Sequence, residues 1–96
     1  MIWAYFYVMK NEPEQVHEVA PNHAQYWRQT HASERGGPFS DRSGGLIIFE
    51  SSNEETAAET VADDPFQRAE LLAHWRLKAW EPVPSRSNLR TLLAHR

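Results

Sequence analysis

A chain of 96 residues has material for one domain with a single core, and at that size a partner would help it bury enough surface. A formal charge of −3 with no run of Lys or Arg leaves no electrostatic footprint for a phosphate backbone, so nucleic acid is excluded as a partner class. With no cysteine there is neither a disulfide framework nor thiolate chemistry, which fits a reducing cytoplasm, and the first apolar run is too short to span a bilayer.

The run IWAYFYVM (2–9) is β-branched and aromatic throughout and predicts a strand that is apolar on both faces, each of which needs a cover. Asn11 as a cap, Pro13 in the first turn and Val16, Val19, Ala20, Ala24 and Trp27 at spacings of three and four predict an amphipathic helix over 13–33. Pro21 interrupts it, either as a kink or as the first residue of a second piece that begins near His23. The segment ERGGPFSDRSGG (34–45) is turn chemistry with at most a short strand around 38–40. LIIFES (46–51) predicts a buried strand, and Ser52 with Glu55 has the capping-box spacing that opens the next helix.

Asp64 then reads as an N-cap, with Pro65 at the first helical position and Phe66 as an anchor. HWRLKAW (74–80) alternates as a strand, with Trp75, Leu77 and Ala79 on one face and His74, Arg76, Lys78 and Trp80 on the other. In the tail, Leu89, Leu92 and Leu93 predict a helix over 86–95 that docks on the chain or its partner. The expected fold is α+β, a ferredoxin-like βαββαβ antiparallel sheet with helices on one face. The apolar second face of strands 2–9 and 46–51 then predicts a homodimer.

NHAQYW, GGPFSD, GGLIIFESSNEETAAE, ADDPFQRAEL and LKAWEPV, in that order and spacing, resemble the YciI-like family, small dimeric α/β-barrel proteins of ferredoxin-like topology. The resemblance covers residues 1 to about 83, and the expected organisation is a domain over 1–83 followed by a tail over 84–96. It implies a site made of a histidine early in the first helix and an aspartate shortly after a Gly-Pro, here His23 and Asp41. It also implies elimination or isomerisation on hydroxylated or halogenated ring compounds, without a cofactor.

Read from the residues, His23 in the first turn of a helix that Pro21 opens would be kept neutral by the helix dipole, ready to act as a base. A carboxylate such as Asp41 would fix its tautomer, and Tyr26 and Trp27 would wall an aromatic pocket. The competing reading makes His23 a buried histidine bonded to a backbone carbonyl, Asp41 an ordinary turn aspartate and Asp64 a cap and nothing more. His74 and Arg76, with Lys78, would line the cavity and hold a carboxylate or phenolate, or else form a solvated strand face. His17, His31 and His95 stand at no metal-ligand spacing. Two functions are expected to compete: a small cofactor-free lyase or isomerase, and a non-catalytic dimeric module that binds a small ligand or a protein through the same cavity or the tail.

Overall fold

The structure, a computed structural model, describes residues 1–33 and 35–81. Its elements are β1 (Ile2–Met9), α1 (Pro13–Gln29), β2 (Gly37–Pro38), β3 (Gly44–Glu50), α2 (Glu54–Ala62), α3 (Pro65–Arg68) and β4 (Leu72–Ala79). The sheet is antiparallel throughout, with strand order β2-β3-β1-β4. Each βαβ unit therefore leaves a gap that a strand of the other unit fills, which is the ferredoxin-like arrangement. No helix among the described residues is long and apolar enough to cross a membrane. The tail helix expected over 86–95, with Leu89, Leu92 and Leu93, lies outside the described residues.

The alternation along β1 decides which side chains meet the helices. Tyr5 stands between Ile47 of β3 and Leu77 of β4, and Tyr7 between Gly45 and Trp75. Trp3, Tyr5 and Tyr7 are buried beneath α1, α2 and α3 together with Trp27, Ile47, Phe49, Ala57, Val61, Phe66 and Leu71. Ala4, Phe6 and Val8 point to the other face, where Phe6 and Val8 are 46% and 39% exposed. The expectation that strand 2–9 carries apolar groups on both faces therefore holds in the register.

Several local expectations shift. α1 runs unbroken through Pro21, whose missing N–H costs one helical bond on an exposed turn, and it stops at Gln29 instead of residue 33. The chain leaves the helix through His31 in the left-handed region at φ 61°. His23 is thus mid-helix, beyond the first turn where a dipole acts, and that argument for a neutral imidazole falls away. α2 is capped by Asn53, whose Oδ1 accepts from Thr56 N–H at 2.8 Å, not by a Ser52–Glu55 box. β2 pairs at Gly37–Pro38, one residue earlier than expected.

Candidate functional site

α1 carries His23 over the sheet on its buried stripe, and the corner between α2 and α3 brings Asp64 to meet it. The imidazole Nδ1 and Asp64 Oδ1 are 2.7 Å apart, His23 is 8% exposed and Asp64 is fully buried. Asp64 Oδ1 also accepts the Phe66 backbone N–H at 3.1 Å, and Oδ2 accepts the Tyr5 hydroxyl at 2.9 Å. Every short contact of the carboxylate is with a donor, so Nδ1 bears the proton it gives to Asp64 and, in the neutral ring, Nε2 is the lone-pair nitrogen. Tyr7 Oη lies 3.3 Å from that Nε2. The chain Tyr5–Asp64–His23–Tyr7 therefore leaves Nε2 as an acceptor beside the Tyr7 hydroxyl.

Asp64, Pro65 and Phe66 do three jobs in three residues. The carboxylate caps α3, Pro65 supplies the preset φ of its first position, and the Phe66 ring stacks on His23 with centroids 4.1 Å apart and planes 20° from parallel. Tyr7 meets the imidazole edge-on at 5.3 Å. Gly45, opposite Tyr7 in the register, leaves room for its phenol: a Cβ there would sit 2.6 Å from Tyr7 Cζ.

Burial and the neighbouring Asp64 charge push the Tyr7 phenol up to about 12, and the same causes raise Tyr5 further. Both phenols are therefore donors at neutral pH. In the unfolded chain they ionise near pH 10, so between about pH 10 and 12 the unfolded state binds fewer protons and stability falls as pH rises. The urea midpoint is expected to drop from pH 9 to pH 11, and to drop less in Tyr7→Phe. An equal drop in both proteins would remove Tyr7 from the network.

His23 and Tyr7 line a cavity of about 470 Å³ between α1 and the sheet, large enough for a ring-sized molecule. Its walls include Val16, Ala20, Ala24 and Trp27 of α1, Ile47 of β3, and Phe66. Trp27 thus stands where the sequence places it. Tyr26 does not: its hydroxyl donates to the Thr60 carbonyl at 2.6 Å and its ring packs edge-on against Trp27, tying α1 to α2. Burial, then the charges of Asp63 and Asp64, raise its phenol.

Asp41 is not the partner of His23. It is exposed in the turn before β3, where Oδ1 accepts the Ser43 hydroxyl at 2.6 Å and the Ser43 N–H at 3.0 Å, and these bonds hold its carboxyl below the ordinary range. Such a local Asx bond is what turn aspartates form. His74 and Arg76 are also away from the cavity. Paired with Val8 and Phe6, they lie on the sheet face opposite the helices, because Trp75, Leu77 and Ala79 take the inner face.

The carboxylate that sequence reasoning gave only to capping, and the Tyr5 and Tyr7 hydroxyls it gave to packing, complete the site. The readable sign was two polar tips on an otherwise apolar strand, each needing a partner once buried.

No curated protein sequence matches the chain. Among solved structures it is similar to 5-chloro-2-hydroxyhydroquinone dehydrochlorinase (TftG) from Burkholderia phenoliruptrix AC1100, in complex with 2,5-dihydroxybenzoquinone. The TM-score is 0.76 at 19% identity, covering 86% of this chain and 96% of that one, which is a likeness of fold. A family model, the YCII-related domain, matches residues 1–81. The match spans every described strand and helix together with His23 and the Asp64-Pro65-Phe66 corner, and the chain belongs to the YCII-related domain family.

Proposed function

We propose that the cavity is an active site of lyase or isomerase type, in which His23 moves a proton on a small hydroxylated ring compound. The observation that carries this reading is the Tyr5–Asp64–His23–Tyr7 chain, which leaves Nε2 as a base at a ring-sized cavity. Nε2 takes a proton from a ring hydroxyl or carbon, and the imidazolium that forms is stabilised by Asp64. In an elimination the ring expels its leaving group with the bonding pair, and the proton passes from Nε2 to water. In an isomerisation it returns to another ring atom. Tyr7, protonated throughout, gives its hydrogen bond to Nε2 at rest and to a ring oxygen when one is bound. The similar fold that binds a dihydroxybenzoquinone supports the choice of ligand class.

Chlorinated and unchlorinated hydroxyhydroquinones in deuterated buffer provide the test. The expected result is chloride release, or deuterium entry at a ring carbon, above the buffer rate and dependent on His23. Tight binding of the same rings with neither event would make the protein a ligand-binding module and overturn the catalytic reading.

We also propose that the functional unit is a homodimer, working in the cytoplasm as the cysteine-free composition suits. The helices cover one face of the sheet, and on the other Phe6 and Val8 are exposed beside the half-buried Leu46 and the buried Ala4 and Ile48. A second copy laid on that face would bury Phe6 and Val8. Sedimentation is expected to give a dimer at micromolar concentration, and Phe6→Glu a monomer. A folded wild-type monomer would remove the proposal.

A further inference from the structure

We propose that the ligand is bound as an anion, a planar ring whose charge is spread over a pair of oxygens, and that Arg28 and Arg42 hold those oxygens. The inference rests on reading the cavity as the ligand site and adds which class of ring it selects. The chain as a whole is acidic, with 13 Asp and Glu against 10 Lys and Arg. The cavity wall inverts that balance. Its lining residues include two arginines, Arg28 and Arg42, and no Asp or Glu. Asp64 stands behind the imidazole, with both oxygens occupied by donors.

Two elements bring the arginines to one cavity. Val16, Ala20, Ala24 and Arg28 follow one another at four-residue spacing along the cavity side of α1. The small Ala20 and Ala24 leave the space open, and Arg28 ends the row. Arg42 comes from the turn between β2 and β3, where its N–H donates to the Phe39 carbonyl at 2.9 Å and its backbone is left-handed at φ 64°. Glycine or asparagine accepts that conformation more readily than arginine. Among the described residues neither Arg28 nor Arg42 forms an ion pair, the Arg68–Asp63 pair lying elsewhere.

Met9, Val16, Ile47 and Phe66 give the wall an apolar stretch, which strengthens the field of the two cations inside the cleft. A guanidinium is planar and presents paired N–H donors, which match a carboxylate or the adjacent oxygens of an ionised hydroxyquinone. A neutral hydroquinone offers such a fork no charge.

The test compares binding of hydroquinone, 2,5-dihydroxybenzoate and 2,5-dihydroxybenzoquinone by titration calorimetry at pH 7. Both anions are expected to bind at least about tenfold tighter than hydroquinone, with the margin shrinking in high salt. Arg28→Gln and Arg42→Gln should each cost about tenfold in anion affinity and leave hydroquinone unchanged. Arg42→Gly should lose the same affinity while its melting temperature stays level or rises, which a misfolded turn would not give. Anions that bind no tighter than hydroquinone, or a preference that survives in the double glutamine variant, would overturn the proposal. If one anion alone is preferred, it identifies whether the paired oxygens belong to a carboxylate or to the ring. The two readings separate cleanly: His23-dependent proton transfer without anion preference removes this proposal alone. Arginine-dependent preference without proton transfer removes the catalytic reading alone.

Discussion

Asp64→Ala is expected to lose about 3–5 kcal/mol of stability, since buried donors left unpaired cost about 1–3 kcal/mol each and a lost helix cap about 0.5–2. The carboxylate is fully buried and has three donors on it, from His23, Tyr5 and the Phe66 backbone. Truncation leaves all three facing a void too dry to solvate them, and it uncaps α3 as well. For a domain of this size each kcal/mol is about 4–8 °C in melting temperature, so the change is large in a thermal scan and in urea. Asp64→Asn should be milder, because the amide oxygen still accepts from His23 and Phe66 while its NH₂ turns to the Tyr5 oxygen, a hydroxyl able to accept. Asp41→Ala should leave the midpoint where it is, since its bonds to Ser43 are at the surface. Equal effects at Asp64 and Asp41 would mean that the carboxylate buried beneath α1 carries none of the role assigned to it.

His23→Gln is expected to reduce turnover of a ring substrate by about 100- to 10,000-fold, the usual contribution of a positioned general base. The glutamine amide can still donate to Asp64, so the fold keeps its buried bond while the site loses its basic nitrogen. His23→Ala should lose as much activity and, in addition, about 1–3 kcal/mol of stability, because Asp64 Oδ1 loses one of its two donors and Phe66 loses the ring stacked on it. The comparison separates a positioned base from a merely structural histidine. If turnover in His23→Gln stays within a few-fold of wild type, proton transfer is done by another group, and Tyr7 becomes the candidate through Tyr7→Phe.

Burial and function, set against one another for His23 in the sequence, turn out to be compatible. The ring is buried, as a core histidine would be, yet its partner is a carboxylate and not a backbone carbonyl, and its second nitrogen lies beside Tyr7 at the cavity. The choice of Asp41 failed for a reason that lies in chain geometry. Asp41 and Ser43 are two residues apart and satisfy each other locally, whereas His23 and Asp64 are 41 residues apart and meet only because α1 and the α2–α3 corner pack on the same sheet face.

Periodicity determined what periodicity can. The alternation in 2–9 and 74–80, the stripe from Val16 to Trp27, the caps and the prolines carry local backbone preferences, and these were enough for the element order and the ferredoxin-like fold. Helix ends and caps moved by a few residues, because Asn53, one residue after Ser52, caps α2 through the Thr56 N–H and Pro21 could stay within an exposed turn of α1. What only the tertiary structure decided is which polar tips face each other. Tyr5 and Tyr7 are indistinguishable from packing residues in sequence, and Asp64 is fully explained by the helix it caps. The register of β1 against Ile47 and Gly45 and the placement of α3 bring Tyr7 and Asp64 to one imidazole and Tyr5 to the carboxylate behind it. Partner choice of this kind is set by long-range packing, since a buried donor must take whichever acceptor the fold brings within reach.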